Sequence, residues 1–130
     1  MLFTRILVPV DFSEPSIEAL RLAVTISMKE GARLTLLYVD NSVLPDPEPS
    51  SVMHRLVAKE VPTSVHCDIL FEHGNPAEQI NHHAEAGEHD LVVMGTHGKQ
   101  GLERVILGSV AEMVVRTCAV PVLVTHDRGG

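Results

Sequence analysis

Apolar and polar positions along the chain fall into blocks of two kinds. Residues 6–10 are continuously apolar, the pattern of a strand buried on both faces. Pro9 has no N–H for a ladder, so pairing is expected to stop there and the chain to splay, leaving Asp11 at the strand's C-terminal mouth. Ser13 as N-cap and Pro15 in the first turn predict a helix, with Ile17, Leu20, Val24 and Met28 facing inward and Gly31 ending it. Residues 32–39 predict a second buried strand, and a β–α–β crossover of this kind is right-handed in nearly all cases. Residues 40–49 carry three prolines interleaved with acids, which predicts a solvated loop. Residues 51–60 then predict a short helix, with Val52, Met53 and Leu56 inward. Residues 64–71 alternate like a third strand, placing Val65, Cys67, Ile69 and Phe71 on one face. Asn75, Pro76 and Glu78 mark the next helix start, which runs to about Ala86 and stops at Gly87. A fourth strand over 90–94, a last helix over 109–117 and a fifth strand over 120–124 complete the chain. Strands alternating with helices predict an α/β fold: an open five-stranded parallel sheet with helices on both faces, forming one domain over residues 1–130.

The stretch 94–111 joins the fourth strand to the last helix. It carries Gly95, Gly98 and Gly108, with two and then nine residues between them, and Ser109 follows the last. Glycines let a backbone turn sharply and approach a ligand closely, and a helix opening at Gly108 and Ser109 presents unpaired N–H groups to an anion. In open α/β sheets the ligand lies beyond the carboxyl ends of the strands, where strand order reverses. An order of 3-2-1-4-5 sets strands one and four side by side, so Asp11 and Gly95 would flank one crevice. Phosphates would then lie on the Gly95–Gly98 and Gly108–Ser109 amides, with Lys99 and Arg104 offsetting charge. Asp11 suits a ribose hydroxyl or a base N–H. The spacing is not that of a P-loop, because only two residues separate Gly95 from Gly98-Lys99 and Gln100 follows. It is not a dinucleotide fingerprint either, because no glycine follows the first strand.

Composition narrows the partners. With aromatics at 3%, base-stacking platforms are not expected, and a formal charge of -7 argues against general affinity for nucleic acid or acidic membranes. No segment approaches the length of a membrane span and the N-terminal apolar run is too short for a signal-peptide core, so the expectation is a cytoplasmic protein. Cys67 and Cys118 lie far apart in apolar surroundings and read as buried small hydrophobes. The eight histidines include no pair at metal-ligand spacing, so no metal site is expected and solvated helix faces account for them better. His97, inside the glycine stretch, either touches a phosphate or projects to solvent. No catalytic constellation is visible: Ser109 is a potential phosphoryl acceptor, but nothing supplies its base. A phospho-receiver reading fails because Asp11 has no acidic neighbour and no aspartate follows the third strand.

Residues 6–13 (ILVPVDFS), 74–77 (GNPA) and 90–98 (DLVVMGTHG), together with the complete glycine spacing ending in Gly108-Ser109, resemble the universal stress protein family in its ATP-binding, UspA-like branch. The resemblance covers nearly the whole chain. It implies a Rossmann-like sheet of the adenine nucleotide alpha hydrolase-like kind, in the order 3-2-1-4-5. It also implies an ATP site, with Mg2+ (or Mn2+) accompanying the nucleotide. Asp11 and Val39 would lie on the adenine and ribose side, and Pro9, Val10 and Met94 would line the pocket. Gly95, Thr96, His97, Gly98 and Lys99 would form the first part of the phosphate cradle, and Gly108, Ser109, Val110 and Ala111 the second. One departure stands out: residues 40–62 leave room only for a short second helix, where relatives commonly carry a longer one.

An apolar last strand containing Pro121 is expected at a sheet edge, which invites pairing with a second copy unless Asp127 and Arg128 guard it. The expectation is a homodimer through Val120, Pro121, Val122, Leu123, Val124 and Thr125, a feature the resemblance shares. The functional expectation is a dimeric ATP-binding regulatory module of the stress response with a protein partner of unknown identity. An interaction dimer without nucleotide, or a slow ATPase, are the alternatives. With no water-positioning carboxylate beside the phosphates, any hydrolysis or autophosphorylation would be slow.

Overall fold

Ile6, Leu7 and Val8 have no exposed surface, and neither have Leu34, Leu36, Leu37, Val92 and Val93. Consecutive strand residues point to opposite faces, so such runs require helices on both sides of the sheet. The computed structural model describes residues 2–40, 48–96 and 108–126. Within them the order is β1 (Arg5–Pro9), α1 (Glu14–Glu30), β2 (Arg33–Asp40), α2 (Pro49–Glu60), β3 (Cys67–His73), α3 (Pro76–Ala86), β4 (Leu91–Thr96), α4 (Ser109–Thr117) and β5 (Val122–His126). The strands form one parallel sheet in the order β3-β2-β1-β4-β5, as expected. One face packs Ile6, Val8, Leu36 and Val93 against Ala19, Leu20, Ala23 and Val24 of α1 and Met53 of α2. The other packs Leu7, Leu37, Val92 and Met94 against Ala77, Ile80 and Ala84 of α3 and Ala111 and Val114 of α4.

The helix ends follow their sequence signals. The Ser13 side chain accepts from the Ser16 N–H, and Gly31 adopts the left-handed conformation at φ 73 with its N–H on Ser27 O. Asn75 accepts from the Glu78 N–H at 2.9 Å. The inward stripe of α1 differs from expectation at one end, where Met28 is 60% exposed. The buried stripe runs instead through Ser16, Ala19, Leu20, Ala23, Val24 and Ser27. Ser27 sits under the sheet because its hydroxyl donates to Ala32 O, closing the turn into β2. Helix α2 begins two residues earlier than expected. Fully buried Met53 is its anchor, worth about 2 kcal/mol by area, while Val52 is only half-buried. Arg21 holds its far end with two parallel hydrogen bonds of 3.1 Å to the Glu60 carboxylate.

Three strand boundaries shift for identifiable reasons. β3 starts at Cys67 and not at residue 64, because the Val65 N–H donates to Pro62 O and a turn occupies that segment. β4 continues through Gly95 and Thr96, which pair with Thr125 and His126 of β5. β5 correspondingly starts after Pro121, whose carbonyl accepts from the Val92 N–H. No helix among the described residues is long and apolar enough to cross a membrane.

Candidate functional site

Strands β1 and β4 are neighbours at the point where strand order reverses, yet they pair only at Ile6↔Leu91 and Leu7↔Val92. On their outer sides pairing goes further, to Pro9↔Leu37 between β1 and β2 and to Thr96↔His126 between β4 and β5. The sheet therefore splits toward its C-terminal edge. Pro9 accounts for the split. The Val10 N–H donates to Leu37 O at 2.9 Å on the β2 side, so the alternate position, residue 9, is the one whose N–H would face β4. Proline has none to offer.

Around this split the sequence-predicted residues converge from four elements. Pro9 ends β1 and Val10 and Asp11 follow it, Val39 lies near the end of β2, Met94, Gly95 and Thr96 end β4, and Gly108, Ser109, Val110 and Ala111 open α4. Met94, Val39, Val110 and Ala111 share the apolar cluster on the α3 and α4 side. Val10 does not join them: its side chain is buried in the opposite cluster against α1 and α2, leaving only its main chain toward the crevice. Asp11 is exposed, and its Oδ1 accepts from the Ser13 N–H at 3.0 Å and from the Ser13 hydroxyl. The Asp11 N–H donates to Ser16 Oγ at 3.3 Å, so this carboxylate is oriented by the first turn of α1. Phe12, between them, takes the left-handed conformation at φ 67 and stacks on Tyr38 with ring centroids 5.1 Å apart. This aromatic contact holds a backbone conformation that non-glycine residues rarely adopt. His97, Gly98 and Lys99 lie outside the described residues, as do Arg104, Asp127 and Arg128.

The cradle's second half has an open geometry. Gly108 is the N-cap of α4 at φ −63 and ψ 158, with no side chain closing over the first turn. Ser109 is exposed, and the N–H groups of Ser109, Val110 and Ala111 are those that an α-helix leaves without internal partners. Together with the helix dipole they form an anion-accepting end. The first half holds a surprise at Gly95. A Cβ there would lie 2.3 Å from Pro15 O and 2.4 Å from Pro15 C, so β4 and the start of α1 meet too closely for any side chain. Thr96 is buried, and its Oγ1 accepts the Gly108 N–H across the glycine stretch.

Residues missed by sequence reasoning lie at the opposite end of the sheet. Asp90 Oδ2 accepts from the Thr4 N–H and hydroxyl at 2.8 Å each, and Oδ1 accepts from the Arg5 N–H at 3.1 Å. Partial burial pulls this carboxyl upward, but those hydrogen bonds outweigh it and hold the group below its ordinary range. His89 is 5% exposed, which corrects the expectation of solvated histidines. Its Nδ1 donates to His83 O at 2.8 Å, and its Nε2 is buried with no hydrogen-bond partner. His83 is likewise engaged, 2.7 Å from Glu72 across the α3–β3 interface. A histidine two residues past a helix-ending glycine is the only signal the sequence offered for this packing. Cys67 and Cys118 are free thiols, both half-buried. Burial, reinforced by the Asp68 charge, pushes Cys67 up to about 11, leaving it protonated and unreactive. Among the described residues no group of three or more His, Cys, Asp or Glu is placed to hold a metal ion.

Comparison with known proteins adds independent findings. The family model described as "Universal stress protein family" matches residues 2–126. Universal stress protein MJ0531 of Methanocaldococcus jannaschii is 35% identical over 141 residues, covering 95% of this chain and 82% of that protein. The solved structure of MJ0577, from the same organism, superposes with a TM-score of 0.81 at 26% identity, covering 100% of both chains. A universal stress protein solved in complex with cAMP superposes with a TM-score of 0.78 at 23% identity, covering 97% of this chain and 98% of that one.

Proposed function

The chain belongs to the universal stress protein family, and from that premise we propose that it is an adenine-nucleotide-binding regulatory module that holds ATP and changes its protein partners accordingly. Residues 1–130 act as one domain, cytoplasmic and homodimeric. The observation that carries this reading is the uncapped N-terminus of α4, at the C-terminal edge where the sheet splits between β1 and β4. The residue spacing from Gly95 to Ser109 supports it, and so does the protein of the same fold solved with cAMP. Asp11 and Val39 take the adenosine side, with Pro9, Val10 and Met94 as walls. The amides of Ser109, Val110 and Ala111, with Gly95, Gly98 and Lys99 from the other half, take the phosphates, and Thr96 and His97 lie between. Mg2+ (or Mn2+) would arrive with the phosphates and offset their charge.

Nucleotide-stripped protein is expected to bind Mg·ATP in a calorimetric titration. Ser109→Asp tests the site without endangering the helix, since an acid at its first position favours the dipole while repelling phosphate. The variant should keep its thermal stability and lose ATP affinity by about tenfold or more. Equal affinity in both proteins would remove α4 from the site. A second reading, an interaction dimer without nucleotide, is favoured by the apolar surface left exposed at Met113, Val115 and Leu123. Mass spectrometry of freshly purified protein separates the two, since only the first predicts co-purified adenine nucleotide.

A further inference from the structure

Thr96 falls inside the glycine stretch, yet its side chain is not presented to a ligand. It is 2% exposed, and its Oγ1 accepts the N–H of Gly108, twelve residues later, at the N-cap of α4. The bond ties the end of β4 to the N-cap of α4. The Gly108 amide is thereby consumed within the protein, which leaves the next three N–H groups as the open ones. The Thr96 side of the bond is fixed. Thr96 pairs with His126 in the sheet, and Gly95 before it is seated against Pro15. Gly108 supplies no side chain to cap the helix start, and while Ala111 and Val114 seat α4 on the sheet, the Thr96 hydroxyl ties its N-cap to β4.

We propose that Thr96 is a positioning residue: it aims the Ser109, Val110 and Ala111 amides at the nucleotide's phosphates and makes no contact with the nucleotide itself. The proposal rests on the nucleotide reading above and adds a division of labour within it. The phosphate half of the site depends on the Thr96 hydroxyl, and the adenosine half, built on β1 and β2, does not.

The test titrates the full chain with Mg·ATP and, separately, with adenosine, for the wild type, Thr96→Val and Thr96→Ser. Valine keeps the shape and deletes the acceptor, while serine restores it. Thr96→Val should bind ATP about tenfold more weakly, as expected for a lost hydrogen bond that also leaves a donor unpaired. Its adenosine affinity should match the wild type, and Thr96→Ser should bind ATP within about twofold of wild type, the acceptor being retained. Unchanged ATP affinity in Thr96→Val overturns the proposal, and so does an equal loss for ATP and adenosine or a failure of serine to rescue. If the wild type binds neither ligand, the nucleotide reading falls and this proposal with it. If Thr96→Val does not fold, hydrogen exchange at the wild-type Gly108 amide decides the matter: protection is expected, and exchange at the rate of an unprotected amide overturns the proposal.

Discussion

At Gly95 the nearest atoms to a built Cβ are backbone, the carbonyl oxygen and carbon of Pro15, both inside 2.5 Å. Backbone at the start of a capped helix cannot yield as a flexible side chain would, so even a methyl group must push α1 away from β4. Gly95→Ala is expected to lower the unfolding free energy by about 2 kcal/mol, the scale of overpacking in a rigid contact. Urea denaturation measures it, and an unchanged midpoint would mean that the two elements separate freely. The sequence marks Gly95 as special through its spacing from Gly98 and Gly108. What it cannot reveal is that this glycine is required by a helix eighty residues earlier in the chain. The same holds for Thr96, whose hydroxyl finds its partner at Gly108 only when β4 and α4 come together in the fold.

Among the elements, β5 carries the assembly question. It is the edge next to β4, and Leu123 remains 39% exposed on it, while Met113 and Val115 of the covering helix are 45% and 48% exposed. An uncharged apolar edge is a template for another strand. The proposed homodimer joins two copies here, through a strand that runs Val122–His126, with Val120 and Pro121 leading into it. Leu123→Lys puts a charge on that edge without touching the buried positions, a natural way to block pairing. Light scattering after size-exclusion chromatography is expected to read a dimer for the wild type and a monomer for the variant. A wild-type monomer would end the proposal. The β1–β4 split has a local origin by comparison, since one proline deletes the rung that would have closed it.

Taken whole, the molecule has two poles with different electrostatics. The C-terminal edge holds the crevice. The N-terminal pole is tied by Asp90 to Thr4 and Arg5, by Glu30 to the Leu2 and Phe3 amides, and by the Arg5 Nε donating to Gly87 O. His89 is embedded there. Burial first, then the nearby Arg5 and His83, lowers its affinity for a proton below the ordinary value of 6.5, against the opposing pull of the His83 carbonyl and Asp90. A histidine held neutral in the fold but free to charge when unfolded contributes stability that is whole above the unfolded value and is lost as pH falls below it. Asp90, Glu30 and Glu60, all lowered, contribute stability that is lost only further down, as pH falls below the carboxylate range. The melting temperature is therefore expected to begin falling between about pH 7 and pH 5, ahead of the carboxylates. His89→Asn, which can still donate to His83 O, should flatten that early limb and leave the lower one. Identical profiles for the two proteins would assign the early loss elsewhere.

Continuous apolar runs, one alternating segment and stripes at helical spacing determined the nine elements of the described residues and their order, because each block can be buried in only one kind of local structure. Ser13, Gly31, Asn75 and Gly108 determined where helices begin or end, because caps act within a few residues. The glycine spacing and Asp11 marked the rim of the candidate site for the same reason. Boundaries of β3, β4 and β5 were decided by pairing partners and by the turn at Pro62, which local pattern does not contain. The exposure of Met28 was decided by which side of α1 the sheet met, and the burial of His89 by the turn after α3 that sets its ring on His83 O. The split between β1 and β4 was already written in Pro9, but the seat of Gly95 on Pro15 and the Thr96–Gly108 bond join residues distant in the chain, and only the folded sheet brings them together.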